Sequence, residues 1–209
     1  MIHFDAIALL RRPAATQCTM TLSEEQRFVE LREADMDRLV AAYRANGMSG
    51  KPERILRRYR HGMRCFGIIE GEELVAWFWA LHGVPRYMDE LAWQLPLTPS
   101  QVWLRDAFVV PRRRGRRLLV AMMGQGMSVE STPMEYFSDV SVSNRPSLRA
   151  HDAMGFSRYA TVRCLRVGEA WFWRSLPPKE FPAPARIRPA QRRLRLTAEE
   201  IAWHREQIA

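Results

Sequence analysis

Phe108-Val109-Val110-Pro111-Arg112-Arg113-Arg114-Gly115-Arg116-Arg117-Leu118-Leu119 is the stretch on which the reading of this chain turns. Aromatic and β-branched residues run into a proline, arginines crowd a short turn around one glycine, and an apolar helical face then begins at Leu118, Leu119, Met122 and Met123. A strand stops, a basic turn follows and a helix opens. The first N–H groups of a helix have no intrahelical acceptor and sit at the positive end of its dipole, so such a turn can seat a phosphate. Taken alone, these residues suit a solvated basic turn equally well.

Thirty residues on, Asn144-Arg145-Pro146-Ser147 opens a second helix and Met154-Gly155-Phe156 closes it. Asparagine caps, proline fits the first turn, and glycine ends a helix in the left-handed conformation. Around these two segments the patterning predicts strands over 27–32, 64–69, 74–81, 102–110, 135–142, 157–167 and 170–174, and helices over 35–45, 52–59 and 144–154. Residues 82–100 read as a long connection. The helix between 102–110 and 135–142 implies a right-handed crossover between parallel neighbours. Residues 1–24 read as an N-terminal extension, 25–176 as one domain, and 177–209 as a basic, Pro/Arg-rich tail with a short helix near 197–207. Met20 offers a second start.

In this order and spacing, Val109-Val110-Pro111 with Arg114-Gly115, and Asn144, Ser147, Gly155 and Phe156, resemble the GNAT superfamily of N-acyltransferases over residues 26–175. The resemblance implies an α/β (α+β) fold: a mixed, mostly antiparallel sheet with one splayed parallel strand pair and helices on both faces. It implies acetyl-CoA or another acyl-CoA as co-substrate, no metal, and acyl transfer to an amine. Backbone groups of Phe108, Val109 and Val110 would hold the pantetheine and thioester. Arg114, Gly115, Arg116, Arg117, Leu118 and Leu119 would hold the pyrophosphate, and Asn144 and Ser147 would line the pantetheine arm. Two departures stand out. Arg117 and Leu119 occupy positions where the family usually has small residues, and His151 stands where it often has a tyrosine that protonates the departing thiolate.

His151 is accordingly a candidate general acid; a histidine on the helix surface is the plainer reading. Asp106, placed by alternation on the face of Leu104 and Phe108, is a candidate base with a raised pKa; a salt bridge with one of the arginines competes with that. Asp139 and Glu90 are further carboxylate candidates. Trp77, Trp79, Tyr87, Trp93 and Trp103 are either an acyl or acceptor pocket or plain core.

The 209 residues, 47% hydrophobic and 26% charged, make an ordinary globular chain and exclude a disordered one. The longest apolar run, 74–81, is too short to span a bilayer, and the start lacks a secretory pattern. Cys18, Cys65 and Cys164 are odd in number and far apart, which suits a reducing cytoplasm. The net charge is +9, and of 32 basic residues all but Lys51 and Lys179 are arginine. Such a surface favours acidic partners. The expected acceptor is a small-molecule or peptide amine. An acidic carrier protein as donor, a catalytically silent binding module and a homodimer remain open. Nucleic acid, through Arg57, Arg58, Arg60 and the tail arginines, is less favoured, since no reading motif is present.

Overall fold

The computed structural model describes residues 2–14, 20–83, 85–88, 93–167 and 170–173. Its elements are β1 (Ile2–Arg12), β2 (Gln26–Leu31), α1 (Met36–Ala45), α2 (Pro52–Arg60), β3 (Met63–Glu70), β4 (Glu73–His82), β5 (Arg86–Met88) and β6 (Trp93–Leu95). They continue with β7 (Gln101–Val109), α3 (Leu118–Ser128), β8 (Glu135–Ser141), α4 (Arg145–Ala153), β9 (Ser157–Val167) and β10 (Ala170–Trp173). Eight strands form one sheet in the order β10-β9-β1-β8-β7-β4-β3-β2. Only β7 and β8 run parallel; the other neighbours are antiparallel. β5 and β6 pair separately as a short hairpin inside the expected long connection.

Residues 2–12 correct the expected N-terminal extension. They form β1, which lies between β8 and β9 and pairs along most of its length with both. Ile7, Ala8, Leu9 and Leu10 are buried in succession, as in any strand covered on both faces. The basic tail from 177 lies outside the described residues.

β4 organises the core. Its residues from Leu74 to Leu81 are all buried, and successive side chains point to opposite faces. On one face Trp77 stacks on Tyr43 of α1, and Trp79 packs under Tyr59 of α2 and donates to the Tyr43 hydroxyl at 3.0 Å. On the other face Phe78 meets α3 at Gly126, so closely that a Cβ there would lie 2.4 Å from the ring tip. Helices thus cover both faces. α1 earns its place by burying Leu39, Val40 and Tyr43 at helical spacing. α2 buries only Ile55 and Arg58, and that arginine matters below.

Two outcomes follow. Gly126→Ala should cost about 1–3 kcal/mol in urea unfolding, the usual range for overpacking, and Phe78→Leu in the same chain should recover part of it. Removing residues 1–19 takes out the strand joining β9 and β10 to the sheet, so circular dichroism on heating should show no cooperative transition.

Candidate active site

From Gln101 to Leu104, β7 pairs in parallel with Glu135 to Ser138 of β8. There the pairing ends. β8 continues beside β1 to Ser141, β7 continues beside β4 to Val109, and the sheet forks between them. A bulge turns β7 away. Trp79 faces Arg105 and Trp77 faces Phe108, so Asp106 and Ala107 together oppose Phe78. Asp106 takes φ 49°, a left-handed value that aspartate tolerates better than most residues. The extra residue bends and twists the strand.

A pocket of about 630 Å³ is lined by the end of β7, the arginine turn and the first turns of α3 and α4. The first α3 bond runs from Ala121 N–H to the Arg117 carbonyl. The N–H groups of Leu118, Leu119 and Val120, all lining residues, therefore have no intrahelical acceptor. Asn144 caps α4, its Oδ1 accepting the Ser147 N–H at 3.2 Å. Arg114 lies with its guanidinium 5.4 Å from the Phe108 ring centroid and donates through Nε to the Val109 carbonyl at 3.0 Å. Two helix N-termini and Arg114, Arg117 and Arg149 line this pocket with positive charge, beside the apolar end of β7.

Solved structures share this fold. A GCN5-related N-acetyltransferase from Sphaerobacter thermophilus superposes with a TM-score of 0.56 at 13% identity, over 77% of this chain and 50% of that one. A GNAT-family acetyltransferase from Novosphingobium aromaticivorans gives 0.52 at 16%, over 77% and 63%. AAC(6')-Iy, in complex with the bisubstrate analogue CoA-S-monomethyl-acetylneamine, gives 0.51 at 17%, over 73% and 99%. The chain has the GNAT fold. At these identities the likeness is of fold alone, and the chain spans 63% and 50% of the Novosphingobium and Sphaerobacter proteins. No protein-family model and no curated protein sequence matches it.

Of the residues singled out in the sequence, Phe108, Val109, Arg114, Gly115, Arg117, Leu118, Leu119, Asn144 and Ser147 line the pocket. Arg116 and Val110 are not among its lining residues. Val110 is buried, and its N–H is spent on the Val75 carbonyl at 3.0 Å. Leu119 is helical, whereas Arg117 sits at φ 56°, a conformation that costs an L residue roughly 1–2 kcal/mol. Arg112 and Arg113 pair with Glu73 and Glu70 of the β3–β4 hairpin, which clamps the turn to the sheet. Arg149 joins the wall unforeseen. Its place on the exposed face of an amphipathic helix carried no sequence signal.

His151 does not reach the pocket. It is 3% exposed, lies between α4 and β8, donates from Nδ1 to the Ser147 carbonyl at 2.8 Å, and accepts at Nε2 from Ser138 Oγ at 3.1 Å. Its edge meets Phe156. Burial lowers its pKa against the opposing Ser147 bond, so it is neutral and locked as a brace, contrary to the expected general acid. Asp106 also departs from expectation. The bulge breaks the alternation: Phe108 stacks on Trp77, on the α1–α2 face, while the Asp106 carboxylate accepts from Arg58 at 2.5 Å and lies 3.4 Å from Arg105. Burial pushes its pKa up, but Arg105, Arg58 and Arg86 outweigh that and hold it well below the usual carboxylate range. Asp139 accepts the Trp103 indole N–H at 2.6 Å and pairs with Arg86. Trp77, Trp79 and Trp103 are fully buried core. Glu90 and the side chains of Tyr87 and Trp93 lie outside the described residues.

His151 sets a measurable pH dependence. Its folded pKa lies below the ordinary 6.5, as does that of His82, whose burial outweighs its pairing with Glu130. The unfolded chain takes up these protons at higher pH than the folded one. Stability is therefore full above about 6.5 and is lost as pH falls from there toward the folded values. In urea unfolding, His151→Gln should flatten that slope, with His82 supplying what remains.

Proposed function

We propose that this protein transfers an acyl group from a coenzyme A thioester to the nitrogen of an amine. The observation that carries this reading is the pocket at the fork, which places a β-edge that no strand covers beside two helix N-termini and three arginines. The edge of β7 suits a pantetheine, which needs strand-like backbone partners. The α3 N–H groups with Arg114 and Arg117 suit a pyrophosphate. Arg117 fits this role because the donors there are backbone groups, and it takes the left-handed conformation that a glycine would otherwise supply. The neighbour that holds a CoA bisubstrate analogue supports the same donor.

Transfer forms a C–N bond at the thioester carbonyl carbon and breaks its C–S bond. The thiolate leaves and takes up a proton, and the ammonium of the acceptor loses one. Neither residue read from sequence for these proton transfers is built for them. His151 is buried in both its hydrogen bonds, and Asp106 is too weak a base. Water at the open mouth of the fork takes their place. The same burial of His151 favours one second reading, a GNAT-fold module that binds acyl-CoA without turning it over.

Calorimetry with acetyl-CoA decides the donor. Arg114→Ala with Arg149→Ala should weaken binding by about 1–3 kcal/mol, the range of charge-assisted bonds, and more at low salt than at high. Unchanged affinity in the folded double variant would place the donor elsewhere. Release of free thiol with a broad amine panel separates the enzyme from the silent module.

A further inference from the structure

The other side of the fork carries charges that the donor pocket does not use. Arg105 follows Leu104, the last residue of β7 paired to β8, and faces Trp79, on the α1–α2 side of the sheet. It is 8% exposed, and its Nε and Nη1 atoms are buried without a hydrogen bond. Among the described residues the carboxylate that pairs with it is Asp106, 3.4 Å away and already engaged by Arg58. Across the fork Asp139, the residue after the last paired Ser138, is held by Trp103 and Arg86. Among the described residues, the buried guanidiniums of Arg105 and Arg58 therefore share the one carboxylate of Asp106. Arg54 of α2 adds a further, half-buried guanidinium, close enough for Arg58 and Asp106 to act on its titration, and its Nε is buried without a hydrogen bond.

Such an arrangement is costly for an empty protein. Buried guanidinium donors lose their hydration, and an excess of one sign repels itself. A fold built for stability alone would have placed an apolar side chain at 105. We propose that Arg105, with Arg58 and Arg54, binds a carboxylate on the acceptor, so that the amine transferred to is that of an amino acid or another amine bearing a carboxylate. This rests on the acyl-transfer reading above. The geometry suits it. Asp106 is 39% exposed on its side chain, so solvent reaches the bulge from this side, and Ala107 and Phe108, the next two residues, already line the donor pocket. An anion anchored at Arg105 therefore holds its amine within a few residues of the thioester. The local excess of positive charge also favours the neutral, nucleophilic amine over the ammonium, which supplies by electrostatics what no general base provides.

The experiment uses the full chain, with and without acetyl-CoA. Calorimetry compares α-, β- and γ-amino acids with their carboxamides, and with aminoalkyl phosphates as a second anion. Thiol release is followed on the same panel. The free carboxylates should bind roughly tenfold to a hundredfold more tightly than the amides, as loss of a charge-assisted partner predicts. Arg105→Met should abolish that preference while melting at the wild-type temperature or above it. Equal affinity for acids and amides, preference for phosphates over carboxylates, or a large drop in melting temperature in Arg105→Met would each overturn the proposal, the last by making Arg105 a structural partner of Asp106. Should acetyl-CoA not bind while the carboxylate preference and its loss in Arg105→Met persist, the anion site stands and the donor reading alone falls.

Discussion

One extra residue in β7 sets the rest of this structure. Up to Leu104 the parallel pair with β8 is regular, and past it the chain must either continue that ladder or leave it. The bulge at Asp106 and Ala107 makes it leave. A bulge whose first residue is left-handed usually calls for glycine. Here the position is held by an aspartate, and the ion pair with the buried Arg58 of α2 fixes the carboxylate in place. The helix that packs under the sheet thus also holds its fork open. Without the bulge, Phe108 would not share a face with Trp77, and no strand edge would be left free for a ligand.

The many arginines divide into distinct duties. Arg112 and Arg113 are structural, tied to Glu73 and Glu70. Arg114 leans on Phe108 and on the carbonyl of Val109 at the donor pocket. Arg58 lies 5.1 Å from the Trp79 ring centroid and donates to Asp106 and, at 3.4 Å, to Tyr43. Arg12 donates from Nε to the Met154 carbonyl at 2.8 Å, at the end of α4. Lysine, a compact and strongly hydrated charge, would serve poorly in these buried, planar contacts.

Much of this architecture was legible because its signals are local. A proline after a β-branched run, Asn-x-Pro at a helix start and Gly-Phe after its end each act through one or two backbone dihedrals, and the strands and helices from 26 to 173 stand close to where the patterning put them. β1 was not legible. Its inner half, Ile7 to Leu10, is buried on both faces, so it lacks the alternation that marks a half-buried strand, and its partners lie more than a hundred residues away. The bulge escaped for a related reason: it exists only relative to β4, and alternation counted along β7 alone puts Asp106 on the wrong face. For His151, family position suggested chemistry, but only the packed structure shows that Ser138 and the Ser147 carbonyl consume both ring nitrogens. Arg58 left a trace that could have been read, since it falls three residues after Ile55 on the buried stripe of α2.

The fork presents positive charge on both sides, from different sources and at different costs. On the α3–α4 side the charge comes from helix N-termini and from the exposed Arg114, Arg117 and Arg149. Unpaired N–H groups at the helix start face an open pocket, where water satisfies them when no ligand is present, so the empty state is little penalised. On the α1–α2 side the charge is formal and largely buried, and Nε and Nη1 of Arg105 have no hydrogen-bond partner. Burial is the largest cause that brings the Arg105 pKa down to about 10; Arg86 and Arg58 add to the pull, and Asp106 and Asp139 oppose it. Tight aromatic packing around Tyr43, Trp77, Trp79 and Phe108 offsets that penalty. The Trp79 face also contributes directly to Arg58, since an indole attracts a guanidinium more strongly once both are dehydrated. Trp77, Trp79 and Trp103, which sequence alone left undecided between ligand pocket and core, are thus core, and what that core supports is the buried Arg58 and Arg105 on either side of the Asp106 carboxylate.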